Sequence, residues 1–190
     1  MINALNMDDE KPMFKPTILF AAALLSFNSF AAVTPTPNEL FSTIHLRLSY
    51  MEDVALYKAN NGKAIEDLDR EAVVIEKASL SAEKEGLDKQ SVVGFFKAQI
   101  SAAKAIQYRY RADLLTQPVT STPRDLNTVV RPDLLRLGKK INTDIAEYLH
   151  EGGTLSNRDF ALFKATLDSD YLTDADKEML FSSLTQIQLR

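Results

Sequence analysis

The sequence predicts an all-α, single-domain bundle of three to four long helices closed by two short C-terminal ones. Three observations carry that expectation. Apolar residues recur at intervals of three and four over most of the chain, no segment sustains a period of two, and Gly, Pro and cap-forming residues fall between the periodic runs. With 190 residues, 45% of them hydrophobic, there is enough apolar material for one core.

The N-terminus carries an address ahead of the bundle. "MFKPTILFAAALLSFNSFAA" (13–32) has a basic start at Lys15, an apolar run from Ile18 to Phe27, and small residues Ser29 and Ala31 where a signal peptidase reads them. Cleavage is expected after Ala31. The apolar run falls well short of the roughly 20 residues that span a bilayer, so no permanent membrane anchor is expected, and the product should be exported, periplasmic or secreted. Asp8, Asp9 and Glu10 stand where a signal should be basic, so residues 1–12 read as an upstream-start extension, with Met13 the better start. Residues 32–190 then form the functional domain.

The first long helix should open at Thr36, Pro37 and Glu39, which supply an N-cap, a first-position proline and a capping-box acid. Its apolar row is Leu40, Ile44, Leu48, Met51 and Ala55, and "NNG" (60–62) ends it. The second is expected over 63–84 with Ile65, Leu68, Ala72 and Ile75 as its core row. The third runs from about Val92 to Leu115, before a loop bounded by Pro118 and Pro123. The fourth begins at Pro132, carries Leu134, Leu137, Ile141, Ile145 and Leu149, and stops at Gly152 and Gly153. Ser156 with Asp159, and Thr173 with Asp176, are capping-box-like starts for two shorter helices ending near Leu167 and Ile187.

Composition excludes several functions. A net charge of −4 argues against a nucleic-acid surface, and the lack of Cys removes disulfides, thiolate metal sites and a Cys nucleophile. With only His45 and His150, a His-rich metal centre is not expected, and no metal or cofactor is assigned.

Three helical stripes mix charge with apolar residues. On the first helix Arg47, Met51, Val54 and Lys58 fall within about 60° of one another; snorkelling of long cationic stems over a core is the plain alternative. On the second, Asp67, Arg70, Glu71, Val74 and Ala78 share a face. Exposed ion pairing, worth about 0.2–0.5 kcal/mol per pair, explains the charges and leaves Val74 and Ala78 unexplained. On the third, Phe96, Gln99, Ala103 and Gln107 form a stripe, with Lys97, Ser101, Lys104, Tyr108 and Arg111 on the opposite side. A buried Gln107 needs a partner, since an unmet amide costs about 1–3 kcal/mol. Arg131 precedes a helix start, where free N–H groups favour an anion. The stripes offer more cation than anion and no nucleophile–base pair, which suits a small polyanion with a hydroxyl or ether. A non-catalytic exported bundle that binds a small dicarboxylate or a protein partner would use the same stripes.

The spaced set Arg47, Lys58, Asp67, Arg70 and Glu71, followed by "FFKAQISAAKAIQYRYR", closely resembles the all-helical chorismate mutases. With the export signal and the extra C-terminal helices it is similar to their secreted γ class, over most of residues 32–190. The resemblance implies an exported enzyme that rearranges chorismate to prephenate, a step towards phenylalanine and tyrosine, without a cofactor. It implies that Arg47 and Arg131 grip the two carboxylates, with Arg131 standing in for an arginine that other relatives take from a partner subunit. A homodimer would then keep each active site within one chain. Arg70 matches a further cation, Lys58 and Gln107 the pair that bonds the ether oxygen, and Asp67 and Glu71 the acids near the ring hydroxyl, with Val74 lining the wall. Ala103 departs from the pattern: relatives often carry Ser or Thr there against a carboxylate, so weaker ground-state binding is expected.

Overall fold

The computed structural model describes residues 36–190. The extension 1–12, the signal at 13–31 and the cleavage after Ala31 lie outside the described residues. The chain forms α1 (Asn38–Ser49), α2 (Met51–Asn60), α3 (Leu68–Lys84), α4 (Ser91–Asp113), a π-helical turn (Leu126–Val130), α5 (Arg131–His150), α6 (Phe160–Thr166) and α7 (Asp174–Leu184). Among the described residues strand pairing is limited to one isolated bridge between Leu87 and Leu189. The bundle is therefore all-α, as the periodicity predicts.

The first long helix is two segments joined at Tyr50, whose backbone remains near helical and whose carbonyl still accepts from Val54 N at 3.1 Å. Its expected capping box does not form. Pro37 is itself the cap residue, with no side-chain cap, and Glu39 reaches across to Lys140 at 2.7 Å instead. Leu40, Ile44, Leu48, Met51 and Ala55 are all buried.

The second helix starts five residues later than periodicity suggests. Gly62, at φ 60°, turns the chain, and the Asp67 carboxylate accepts from Arg70 N at 3.1 Å, which ends the connector and caps α3. The expected core row dissolves as a result. Ile65 is buried but belongs to the connector, Leu68 is 70% exposed, Ala72 is exposed, and Ile75 is only partly buried against the core.

The third and fourth helices fall close to their predicted spans. Leu137, Ile141 and Ile145 are buried, with Leu134 and Leu149 packed beside them. At the end of α5, Gly152 takes φ 83° and donates to Leu149 O, while Gly153 donates to Tyr148 O. A Cβ at Gly153 would lie 2.5 Å from that same oxygen, so both glycines are required. Thr173 and Asp176 form the expected capping box of α7. Ser156 does not cap α6: its N–H and hydroxyl both bond Asp159, and the helix begins after it.

Two layers of contact place the site. Phe41, Phe163 and Phe181 lock α1 to α6 and α7, with the Phe41 and Phe163 rings edge-to-face at 5.0 Å. Helix α4 packs on α2 and α7, α1 on α5, and α3 on both α4 and α5. Helix α3 thus closes one side of a cleft whose other walls are α1–α2, α4 and α5.

Candidate active site

That cleft, about 240 Å³, is lined by Arg47, Lys58, Asp67, Arg70, Glu71, Val74, Ala103, Gln107 and Arg131. All nine residues singled out from the sequence therefore meet in one cavity supplied by a single chain.

Arg47 comes from the last turn of α1 and is 7% exposed. Its Nη1 donates to Gln99 Oε1 at 2.8 Å, and its Nε, also buried, has no partner among the described residues. Burial pushes its pKa down to about 10, which leaves the guanidinium charged at neutral pH. Lys58, in the last turn of α2, is half-buried and donates to Ile65 O at 2.7 Å. Burial lowers its pKa, the carboxylates of Asp67 and Glu71 pull it back up, and Arg131 and Lys104 press it down further. The same four groups surround one ammonium.

On α3 the mixed stripe faces the cleft. Arg70 and Glu71 are partly buried, with Val74 and Ala78 beside them. The Glu71 carboxylate accepts from Lys104 Nζ at 3.2 Å. Asp67 borders the cleft while serving as the helix cap, so one of its oxygens is already engaged. Val74 and Ala78 need no separate account once this face is a pocket wall.

Gln107 is 4% exposed. Its Nε2 donates to Ala103 O at 3.1 Å and approaches Met51 Sδ at 3.7 Å, while Oε1 has no partner among the described residues. A primary amide nitrogen carries two protons, and a thioether is a weak acceptor. The proton on the Met51 side is therefore the one a ligand oxygen would take.

Arg131 reaches the cleft by its side chain alone. The anion-binding helix start expected there is absent, because the π-helical turn runs directly into α5 and Arg131 N–H donates to Leu126 O. The free N–H groups sit earlier and are met by Asp125, which accepts from Asn127 N and Thr128 N at 2.9 and 2.7 Å. The Arg131 guanidinium is held by the Asn127 side-chain oxygen.

Sequence reasoning missed four contributors. Lys104 was placed on the far side of α4, yet it lines the cleft and pairs with Glu71 and Glu66. It lies only about 60° from Gln107 on a helical wheel, within the sweep of a long side chain. Lys77 and Lys139 also line the cleft from α3 and α5. Gln99 was read as part of a buried stripe, but its partner, Arg47, was not. Seven cationic side chains face two carboxylates in this cleft, in a chain of net charge −4. Ser81 borders it too. The remaining walls are apolar, including Val54, Ile65, Phe96, Leu126 and Leu134. Such a site could grip anions and present fixed donors, and no nucleophile–base pair stands among its described lining residues.

Comparison with known proteins gives the family. Residues 37–108 match the family model "Chorismate mutase type II". The chain is 42% identical over 165 residues to a secreted chorismate mutase of Yersinia pestis, covering 86% of this chain and 88% of that one. It is 37% identical over 174 residues to a monofunctional chorismate mutase of Enterobacter agglomerans, covering 90% and 95%. The crystal structure of secreted chorismate mutase from Yersinia pestis superposes with a TM-score of 0.75 at 44% identity, over 80% of this chain and 98% of that one. The chain belongs to the type II chorismate mutase family.

Proposed function

We propose that the cleft is the seat of the family's reaction, the rearrangement of chorismate to prephenate, and that its side chains divide the work as follows. Arg47 and Arg131 take the two carboxylates through charge-assisted hydrogen bonds. That holds the flexible side chain over the ring, in the compact geometry from which a C–O bond breaks as a C–C bond forms. Lys58, with Gln107 completing the cradle, donates to the ether oxygen as it gains negative charge. Arg70 adds a further positive charge, Glu71 and Asp67 stand by the ring hydroxyl, and Val74 and Ala103 form the wall. No proton has to be transferred.

The observation that carries this reading is the excess positive charge of the cleft: a buried arginine and a half-buried lysine, neither within ion-pair distance of a carboxylate among the described residues, open on the same cavity. A site built this way is completed by a dianion. Export follows from the signal-like pattern of residues 13–32, supported by a relative that is itself a secreted enzyme. The site would work equally in a monomer or a homodimer.

Incubation of the purified chain with chorismate tests the proposal. Prephenate should accumulate catalytically, with no added metal or cofactor. Return of unchanged chorismate, bound or unbound, would instead favour a dicarboxylate-binding bundle. Lys58→Ala should abolish nearly all turnover while the chain stays folded.

A further inference from the structure

Gln99 lies outside the proposed machinery. It is 0% exposed and does not line the cleft. It sits on α4 among Phe95, Phe96, Ala102 and Ala103, all buried, where an aliphatic side chain would be the ordinary choice. Its Oε1 accepts from Arg47 Nη1 at 2.8 Å, and its own Nε2 has no partner among the described residues. The fold therefore keeps an amide in its core, with one end unsatisfied, for a single bond to the cleft's most buried cation.

We propose that Gln99 is a positioning residue: it tethers the Arg47 guanidinium through a neutral oxygen, so that the arginine's whole charge stays open to a substrate carboxylate. The inference rests on the reading of Arg47 as a carboxylate grip.

An amide here does what an acid would not. A buried arginine is ordinarily matched by a carboxylate, whose attraction offsets part of its desolvation. A glutamate at this position would make that match and would then compete with the substrate for the same guanidinium. A neutral acceptor fixes the plane of the group through one nitrogen and leaves its charge unmatched. The Arg47 pKa accordingly responds to burial alone, with no acid contributing. The desolvation cost is left standing in the empty site and is offset only when an anion enters, which turns it into affinity for anionic ligands.

Gln99→Glu decides the matter, because it keeps the shape, removes the orphan N–H and supplies the missing carboxylate. The expected result is a Tm equal to or above that of the unmodified chain, a KM for chorismate raised about 10- to 100-fold, and kcat changed less than about threefold. The inhibition constant of prephenate, which carries the same two carboxylates, should rise by the same factor. If Gln99→Glu does not fold, Gln99→Met decides instead: it fills the space without an acceptor, and KM should rise about 3- to 10-fold at near-constant kcat. Arg47→Ala separates the two readings. If it raises KM while neither Gln99 variant does, the role of Gln99 is overturned and that of Arg47 stands. If Arg47→Ala leaves KM unchanged, the carboxylate grip and this inference fall together.

Discussion

Replacing Lys58 by Met separates catalysis from folding more cleanly than truncation does. The thioether preserves the stem along the end of α2 and removes only the ammonium. On the catalytic side, loss of one preorganised donor at an oxygen that gains charge costs about 10²–10³ in kcat, or about 2.7–4 kcal/mol. On the structural side, Lys58 has one hydrogen bond among the described residues, to Ile65 O at 2.7 Å. Its loss is partly offset, because burial already depresses the lysine's pKa and so opposes the charged form. Ile65 also borders an open cleft, so water can take over its carbonyl. The net stability change should stay within about 1 kcal/mol, or about 2–4 °C in Tm for a domain of this size. Steady-state turnover of chorismate and thermal unfolding of the same sample measure both. A kcat reduced less than tenfold, or a loss of rate that appears only with a Tm drop beyond about 6 °C, would refute the assignment of Lys58 to the ether oxygen.

The pH profile follows from the same groups: Gln107 is an amide and needs no proton, so kcat/KM should hold nearly level between about pH 5 and 8. Lys58 must be charged to act and burial lowers its pKa, as burial lowers that of Arg47 to about 10, so activity should decline as pH rises through a value below the lysine's ordinary 10.5, and an alkaline limb at or above 10.5 would count against both roles. Ala103→Ser places a hydroxyl on the cleft wall one turn before Gln107; a bond to a substrate carboxylate should lower KM by about tenfold with kcat within threefold, read by steady-state kinetics. Leu68, 70% exposed, should tolerate Gln with a stability change within about 0.5 kcal/mol, whereas buried Ile65→Ala should cost about 2–5 kcal/mol, a contrast that thermal unfolding resolves.

Local chemistry was legible wherever a single residue decides the backbone. Gly152 and Gly153 stop α5 because only glycine fits there, and Thr173 with Asp176 caps α7 through bonds within one turn. Prediction failed where a good local signal was overridden by a partner or an element that it does not reveal. Thr36, Pro37 and Glu39 form a good capping sequence, but Glu39 bonds Lys140, 101 residues away, a partner no local pattern reveals. Arg131 precedes Pro132, a common helix start, yet the π-helical turn upstream had already consumed its N–H.

The error on α3 has a different origin and explains why the site was readable at all. Periodicity assigns the more apolar face of a helix to the interior, and on that rule Leu68 and Ala72 should be buried. The structure leaves them exposed and turns Arg70, Glu71, Val74 and Ala78 inward. The rule presumes an apolar interior. A cleft of the kind proposed here, which holds a dianion, is an interior of the opposite kind, and the helix that walls it carries its charges inside, beside small apolar residues. The anomalous stripe was thus the signal of a pocket, and the orderly apolar row beside it was the misleading one. The same inversion hid Gln99 and Lys104: one looks like a flaw in a core and the other like a surface lysine, until Arg47 and Glu71 are seen at the far end of their hydrogen bonds.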